Sequence, residues 1–347
     1  MVKASIIIPT HNRAHILELC LTYLLNQTIK DYEVIIVDDA SQDETPELIA
    51  KYKIQNTNFK YIRLKNQSGP YVARNIGIEK AQGEVIIFID SDVIVHPKFV
   101  EDHISIHEKN KKAFVQGMVK HIRREVRPQE DQVNFKFYFP NALCIRTFIT
   151  QNASVRKEWL ERVGGFAQFG PFMGFKDIDL GLRLRKMGLH EVYTFKKCKA
   201  YHVDGPLKKE NLKEFFHKHL ERGKSAYFFV KEHGKLGEKY AHIKKALFIS
   251  NFLQTERWVD KAIKSLESLR DSPILPLFPI CKGIIKYHYR AMGIKEAISQ
   301  QSTVDSQESL TSTNNQTSRN KIQTITDNQS PNCLPCFHTE QGLGIGI

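Results

Sequence analysis

Two aspartates flanking a serine, Asp90-Ser91-Asp92, leave the end of an apolar run, Glu84 to Ile89, and lead straight into apolar Val93 to Val95. Carboxylates this close together, between segments that favour burial, repel each other unless a cation sits between them. Hard oxygen ligands on a loop are what Mg2+ or Mn2+ prefers, and such ions fill their remaining positions with water and substrate phosphates. The pattern therefore points to a diphosphate ligand held through metal. Asp-x-Asp alone is a weak motif, because that spacing arises by chance in many proteins; its place after a buried strand makes it informative. The familiar phosphate cradles are missing: there is no G-x-x-x-x-G-K-[ST], and no G-x-G-x-x-G follows the first strand. That argues against P-loop nucleotide hydrolases and dinucleotide dehydrogenases.

Such a loop needs strands to carry it. Short runs rich in Val and Ile recur at Ser5 to Ile8, Glu33 to Val37, Tyr61 to Leu64 and Glu84 to Ile89, with helix-compatible stretches between them. This βαβα order predicts an α/β fold with a mostly parallel sheet, and strands apolar on both faces require helices on both sides. Right-handed crossovers then stack the strands in one sheet. In open α/β folds, ligands bind at the carboxyl ends of the strands. The loops there are polar: Pro9-Thr10-His11-Asn12-Arg13 after the first strand and Asp38-Asp39-Ala40-Ser41-Gln42-Asp43 after the second. Asp43 reads as the cap of the helix from Glu44, whereas Asp90 and Asp92 read as a site.

The 347 residues, 41% hydrophobic and 26% charged, suit one large domain or two modest ones. No stretch approaches the roughly 20 apolar residues of a spanning helix; the most apolar C-terminal part, Ile274 to Ile294, carries Lys282, Lys286 and Arg290. Met1 to Pro9 runs from a single lysine into a strand-like segment with no small-residue cleavage site, so a cytoplasmic location is expected. Six scattered cysteines show no disulfide framework. Cys333 and Cys336, with His338 nearby, lack the second pair a zinc site needs. The net charge of +13 is concentrated in residues 205–298, which hold 19 Lys and Arg against 10 Asp and Glu. From Ser299 onward the chain is rich in Ser, Thr, Gln and Asn, with too little apolar surface to offset ordering entropy. A disordered polar tail, 299–347, is expected.

Six ordered blocks resemble the inverting glycosyltransferases of family 2, which use the GT-A fold. They are Pro9 to Arg13; Val37-Asp38-Asp39-Ala40-Ser41 with Asp43 and Thr45; Ala73-Arg74-Asn75-Ile76-Gly77; Ala81-Gln82-Gly83-Glu84; Asp90-Ser91-Asp92; and Gly164-Gly165-Phe166 leading to Asp177-Ile178-Asp179-Leu180. The resemblance covers roughly residues 3 to 230. It implies a GT-A domain over 1–205, a Rossmann-like sheet flanked by helices, followed by a basic amphipathic helical extension over 206–298.

The resemblance implies roles residue by residue. The loop of Pro9, Thr10 and Arg13, together with Asp39, would hold the base of a donor nucleotide, the carboxylate accepting from a base N–H such as uracil offers. Gly69 and Arg74 would lie beside the nucleotide, although Arg74 could instead pair with Glu79 or an aspartate. Asp90 would reach the ribose or a Mn2+ or Mg2+ ion, and Asp92 the ion itself. His202, in Ala200 to Asp204, matches a histidine that closes such a metal site; a satisfied core histidine is the alternative. Asn152-Ala153-Ser154 matches a turn where the donor sugar lies close to backbone, and the loop Gly170 to Gly174 would close over substrate. Asp177 matches the general base that takes the acceptor's hydroxyl proton. Asp179, two residues on, reads as a structural partner of Arg183 at i+4.

One departure stands out. The family places Glu before its catalytic Asp, and this chain has Lys176. A neighbouring ammonium would lower the pKa of Asp177 and weaken it as a base, unless Lys176 faces an anionic acceptor or the leaving phosphate. Two functions follow: a metal-dependent hexosyltransferase building a glycan or glycolipid from a nucleotide-diphospho-sugar, or a nucleotide-sugar-binding protein with weak or lost transfer. A sugar nucleotidyltransferase would need a glycine-rich basic loop where Pro9 to Arg13 stands.

The expected partners are a nucleotide-sugar donor and a glycan or lipid-linked acceptor. Leu207 to Lys245 interleaves Phe215, Phe216, Leu220, Tyr227, Phe228 and Phe229 with Lys and Arg at helical spacing. That face either packs on the catalytic domain or, with Pro273 to Ile294, rests peripherally on an anionic membrane surface, each cation contributing about 1 kcal/mol. Nucleic acid is not an expected partner, since no nucleic-acid module accompanies the basic residues.

Overall fold

The computed structural model describes residues 2–55, 58–122, 148–167, 174–203, 212–257, 259 and 283–302. The insertion Arg123 to Pro140, most of the Gly170 to Gly174 loop, the Cys333/Cys336 pair and nearly all of the tail lie outside these residues.

Four strands open the chain: β1 (Ala4–Thr10), β2 (Tyr32–Asp38), β3 (Phe59–Arg63) and β4 (Val85–Phe88), separated by α1 (Ala14–Leu25), α2 (Thr45–Gln55) and α3 (Pro70–Lys80). They pair in parallel in the order β3-β2-β1-β4. The third strand starts two residues before the predicted Tyr61 and ends one before Leu64, with Phe59 opposite Val34 of β2. After β4 come β5 (Val93–Val95), α4 (Phe99–Lys109), β6 (Ala113–Gly117), β7 (Val119–Ile122), β8 (Ala153–Arg156), α5 (Lys157–Val163), α6 (Lys176–Lys186), β9 (His190–Thr194) and β10 (Ala200–Val203). β8, β6 and β9 complete a seven-stranded sheet in which β8 runs antiparallel to both its neighbours. β5, β10 and β7 form a second, three-stranded sheet.

Every residue of β1 and β2 is buried, and alternation decides which core each joins. Ile6, Ile8, Val34, Ile36 and Ile87 face Leu17, Leu21 and Leu24 of α1 and Phe99 and Ile104 of α4. Ile7, Ile35, Val37, Ile86 and Phe88 face Ala73 and Ile78 of α3, Leu160 of α5 and Leu180 of α6. Both faces are therefore covered, as a parallel sheet requires. At the amino edge, Glu33 ties the elements together: Ser5 and the Gln82 amide both donate to its Oε1 at 2.6 Å, and Lys60 pairs with Oε2 at 2.6 Å. The Ala81 to Glu84 block thus anchors the sheet at the end away from the site.

The first compact unit runs Met1–Lys295, the second Glu296–Ile347; of the latter, residues 296–302 are described and are helical. The first unit ends with α7 (Leu212–Ala241), broken at Gly234 (φ 55, ψ −133), α8 (Ile243–Phe252) and α9 (283–295). The apolar face of α7 packs on α6, with Phe229 stacked on Phe175 at 5.1 Å and Ala226 against the same cluster. No helix among the described residues is long and apolar enough to cross a membrane.

Candidate active site

The loops after β1 and β2 are stitched to each other. The Asp39 amide donates to Thr10 O at 2.8 Å, the Asn12 amide to Ser41 Oγ at 2.9 Å, and the Gln42 amide to Asn12 Oδ1 at 2.7 Å. Asn12 and Ala40 sit at φ 50 and φ 60, left-handed backbone that non-glycine residues adopt where surrounding contacts enforce it. Asp43 caps two helices at once: it accepts from the Thr45 amide and hydroxyl at 3.2 and 2.6 Å, and from the Ala14 amide at 2.9 Å. The capping expectation for Asp43 therefore holds and extends to α1.

Asp39 turns its carboxylate to the next loop, accepting from the Ser68 amide at 2.6 Å and the Gly69 amide at 2.8 Å. Gly69 has φ 90 and precedes Pro70, the first residue of α3; a side chain there would be strained. Pro9 and Thr10 are buried at the end of β1, and Thr10 Oγ1 has no hydrogen-bond partner. Pro9, Thr10, Asp39 and Gly69 therefore shape one floor at the carboxyl edge of β1 and β2.

Asp90, Asp92 and His202 meet beside it, each offering a ligand atom within 4.8 Å of the others. They arrive from three directions: Asp90 from the end of β4, Asp92 from just before β5, and His202 from β10, which pairs with β5 at His202 and Val93. Asp92 Oδ1 is buried and lies 3.1 Å from His202 Nε2. Two carboxylates and an imidazole suit a divalent cation such as Mn2+ or Mg2+. Burial pushes Asp92 up, but His202 and Arg13 outweigh it and hold the carboxyl below its usual range. His121 of β7 lies against His202, ring centroids 4.9 Å apart; this neighbour was not foreseen in the sequence.

The arginines do not hang free over this site. Arg13 Nη1 lies 2.5 Å from Asp92 Oδ2, and Arg74 Nη2 lies 2.6 Å from Asp90 Oδ1. Of the alternatives for Arg74, the structure selects an aspartate; Glu79 pairs with Lys80 at 2.8 Å instead. Arg74 also stacks over Tyr71 at 5.3 Å, and its Nε is buried with no hydrogen-bond partner.

Tyr71 links this group to Asp177. Burial pushes the Tyr71 hydroxyl up, and the carboxylates of Asp177 and Asp90 add to the effect from nearby. Asp177 enters on the first turn of α6, preceded by Phe175 at φ 58 and Gly174 at φ 129. Its Oδ1 accepts from the Ile178 amide at 2.9 Å. Burial raises its pKa, with Arg222 and Arg74 partly opposing. The expectation that Lys176 depresses this pKa is thereby corrected. Adjacent helix positions diverge by about 100°; the Lys176 ammonium turns to the Tyr71 ring at 5.7 Å, and burial lowers its own pKa. The reason for expecting a weak base therefore falls away.

Asp179 is structural in its contacts, as its spacing to Arg183 suggested. Arg183 Nε and Nη2 lie 2.8 and 2.7 Å from Asp179 Oδ2, and His233 of α7 lies 2.9 Å from Oδ1. Arg183 also donates to Val163 O and Gly165 O, both at 2.8 Å, while Asn75 exchanges two 2.9 Å hydrogen bonds with the Phe166 backbone. The Ala73 to Gly77 and Gly164 to Phe166 blocks are thus joined as scaffold. Asn152 immediately precedes β8, and Ala153 and Ser154 begin it. All three are fully buried, and Asn152 donates to Cys198 O at 2.7 Å and Met118 O at 3.2 Å. Their side chains are committed to interior packing and hydrogen bonds.

Comparison with known proteins places this geometry. The family model described as Glycosyl transferase family 2 matches residues 5–172. Over these residues the chain is similar to glycosyl transferase family 2. Curated family relatives include a chondroitin synthase of Escherichia coli, 26% identical over 315 residues, covering 79% of this chain and 45% of that protein. A poly(ribitol-phosphate) beta-glucosyltransferase of Bacillus spizizenii is 33% identical over 165 residues, covering 43% of this chain and 26% of that protein. The chain thus spans less than half the length of these two relatives. Among solved structures, a mannosyltransferase of Pyrobaculum calidifontis in complex with GDP-Man and Mn2+ is 18% identical with a TM-score of 0.57, covering 85% of this chain and 87% of that one. The shared fold is GT-A.

Proposed function

We propose that the protein is a metal-dependent inverting glycosyltransferase that moves a sugar from a nucleotide-diphospho-sugar, UDP-linked, to a hydroxyl of a glycan or lipid-linked acceptor. The observation that carries this reading is the convergence of Asp90, Asp92 and His202 at one point, with Tyr71 within electrostatic reach of both Asp90 and the buried Asp177. The sugar-transferring activities named for the family relatives support it, and so does the nucleotide-sugar and Mn2+ named for the structure of like fold.

In this reading Asp90, Asp92 and His202 would hold the ion. A bound Mn2+ or Mg2+ would supply positive charge against the charge that grows on the departing diphosphate. Arg13 and Arg74, already seated on the two aspartates, bring cations to the same edge. The floor of Pro9, Thr10, Asp39 and Gly69 receives the nucleoside, the carboxylate of Asp39 orienting both the Gly69 loop and a base N–H. Asp177 takes the acceptor proton on Oδ2, the oxygen not bound by the Ile178 amide, while the hydroxyl oxygen bonds to the anomeric carbon and the bond to the diphosphate breaks. A carboxylate whose pKa is raised by burial is better matched to that proton than an ordinary surface aspartate. Single displacement inverts the anomeric configuration.

The test is Mn2+-dependent release of nucleoside diphosphate from a panel of UDP- and GDP-sugars, with Asp177→Asn as control. Release that needs both the ion and Asp177 supports the reading; binding of every donor without turnover sinks it in favour of a binding protein.

A further inference from the structure

Outside the trio and its base lies a pair of arginines with no ion-pair partner among the described residues. α7 and α9 cross at glycines: a Cβ on Gly223 would stand 2.2 Å from Arg290 O, and one on Gly293 would stand 2.0 Å from Leu220 O. Only glycine permits backbones this close. The crossing brings Arg222 of α7 and Arg290 of α9 together, next to His219 and the ring of Tyr287. Arg222 Nε and Arg290 Nε are both buried with no hydrogen-bond partner, and neither guanidinium has a carboxylate within ion-pair distance among the described residues. The acids of this region are taken: Glu221 pairs with Lys224, Glu238 with Lys244 and Glu256 with Lys295.

Two arginines on neighbouring positions of a close helix crossing, each with a buried donor unsatisfied, are costly unless a ligand completes them. Burial and the charge of Arg222 lower the pKa of Arg290 to about 10. The site also faces the reaction. The Arg222 guanidinium lies 5.3 Å from the Phe175 ring, its Cγ borders Gly174, and its charge reaches Asp177.

We propose that Arg222 and Arg290 form a binding site for an oxyanion, a phosphate or carboxylate group carried by the acceptor, placed so that the neighbouring acceptor hydroxyl meets Asp177. This rests on the reading of Asp177 as the base. The same chemistry could come from the donor's diphosphate, but the trio that would receive the diphosphate is served by Arg13 and Arg74, whereas Arg222 lies against the residues just before the base. Recessed guanidinium nitrogens also suit a single anionic group better than a flat surface. Guanidinium forks pair with phosphate and carboxylate through two parallel hydrogen bonds.

The experiment is calorimetric titration of inorganic phosphate into the full chain, in chelator and again with saturating Mn2+ and UDP. The expected result is phosphate binding under both conditions, weakened about tenfold or more by Arg222→Gln or by Arg290→Gln, partly restored in Arg222→Lys and Arg290→Lys, and unchanged in Asp92→Asn. Circular dichroism melts establish that each variant is folded, and the Lys variants carry the test should a Gln variant fail to fold. Loss of phosphate binding when UDP and Mn2+ are present would hand the site to the donor and overturn the proposal, as would absent binding or binding indifferent to both arginines. Because phosphate is read without turnover, failure here leaves the transfer reading standing, and failure of nucleoside diphosphate release leaves this anion site standing.

Discussion

Acid should loosen this fold through two histidines that the reaction does not use. His103 and His107 of α4 share one partner on β8: Ser154 Oγ lies 2.8 Å from His103 Nδ1 and 2.8 Å from His107 Nε2, and His103 Nε2 lies 3.1 Å from Asn152 Oδ1. Both rings are fully buried. Burial holds His103 down to about 3, with the neighbouring His107 adding to it, and holds His107 down to about 4, both from 6.5. A base whose pKa is lower in the folded chain than in the unfolded one stabilises the fold fully above the unfolded value. That stability drains away as pH falls from 6.5 toward the folded values, because the unfolded chain takes up protons the folded chain refuses. At about pH 5 this amounts to about 2 kcal/mol per ring, so about 4 kcal/mol for the pair as an upper figure. Urea unfolding followed by circular dichroism at about pH 8 and about pH 5 reads the difference. The wild type should lose about 4 kcal/mol more between the two than a His103→Gln, His107→Gln variant, whatever that variant costs at the higher pH. Equal pH dependence in the two proteins would refute the reasoning.

Three further outcomes are expected. Asp177→Asn should lower turnover by about 100-fold or more while donor affinity changes less than about twofold, since it removes the proton acceptor and leaves the trio untouched; steady-state kinetics beside donor titration checks this. Asp179→Ala should cost about 3 kcal/mol in urea unfolding, because Arg183 and His233 lose a buried carboxylate they share, and a cost below about 1 kcal/mol would show that α6 and α7 do not depend on it. Gly223→Ala, whose Cβ would collide with Arg290 O at 2.2 Å, should cost about 1–3 kcal/mol; a neutral result would mean that α7 and α9 do not cross as closely as described.

Much of the sheet was legible because its determinants are local. Val- and Ile-rich runs became β1, β2 and β4 nearly residue for residue, Asp43 caps the helix that follows it, and Asp179 pairs with Arg183 as its spacing implied. The meeting of Asp90, Asp92 and His202 was legible only through resemblance, since β10 comes more than a hundred residues after β5 and nothing in either segment names the other. Arg13 on Asp92 escaped notice for the same reason. The pKa direction of Asp177 was misjudged because sequence adjacency to Lys176 was taken for spatial adjacency, while the cations that act on it, Arg222 and Arg74, come from α7 and α3. The side chains of Asn152 and Ser154, singled out in the sequence only through resemblance to a family turn, serve interior hydrogen bonds to Cys198, His103 and His107 that no local signal announces. The glycines at 223 and 293 carried no legible message until the helices that cross there were seen together.

Calorimetry of nucleotide-sugar binding with Mn2+ and with chelator, in wild type and Asp92→Asn, bears most directly on the trio. The account predicts that chelator weakens wild-type binding by about tenfold or more and that Asp92→Asn makes the affinity indifferent to Mn2+. Equal affinity in Mn2+ and in chelator for the wild type would contradict it.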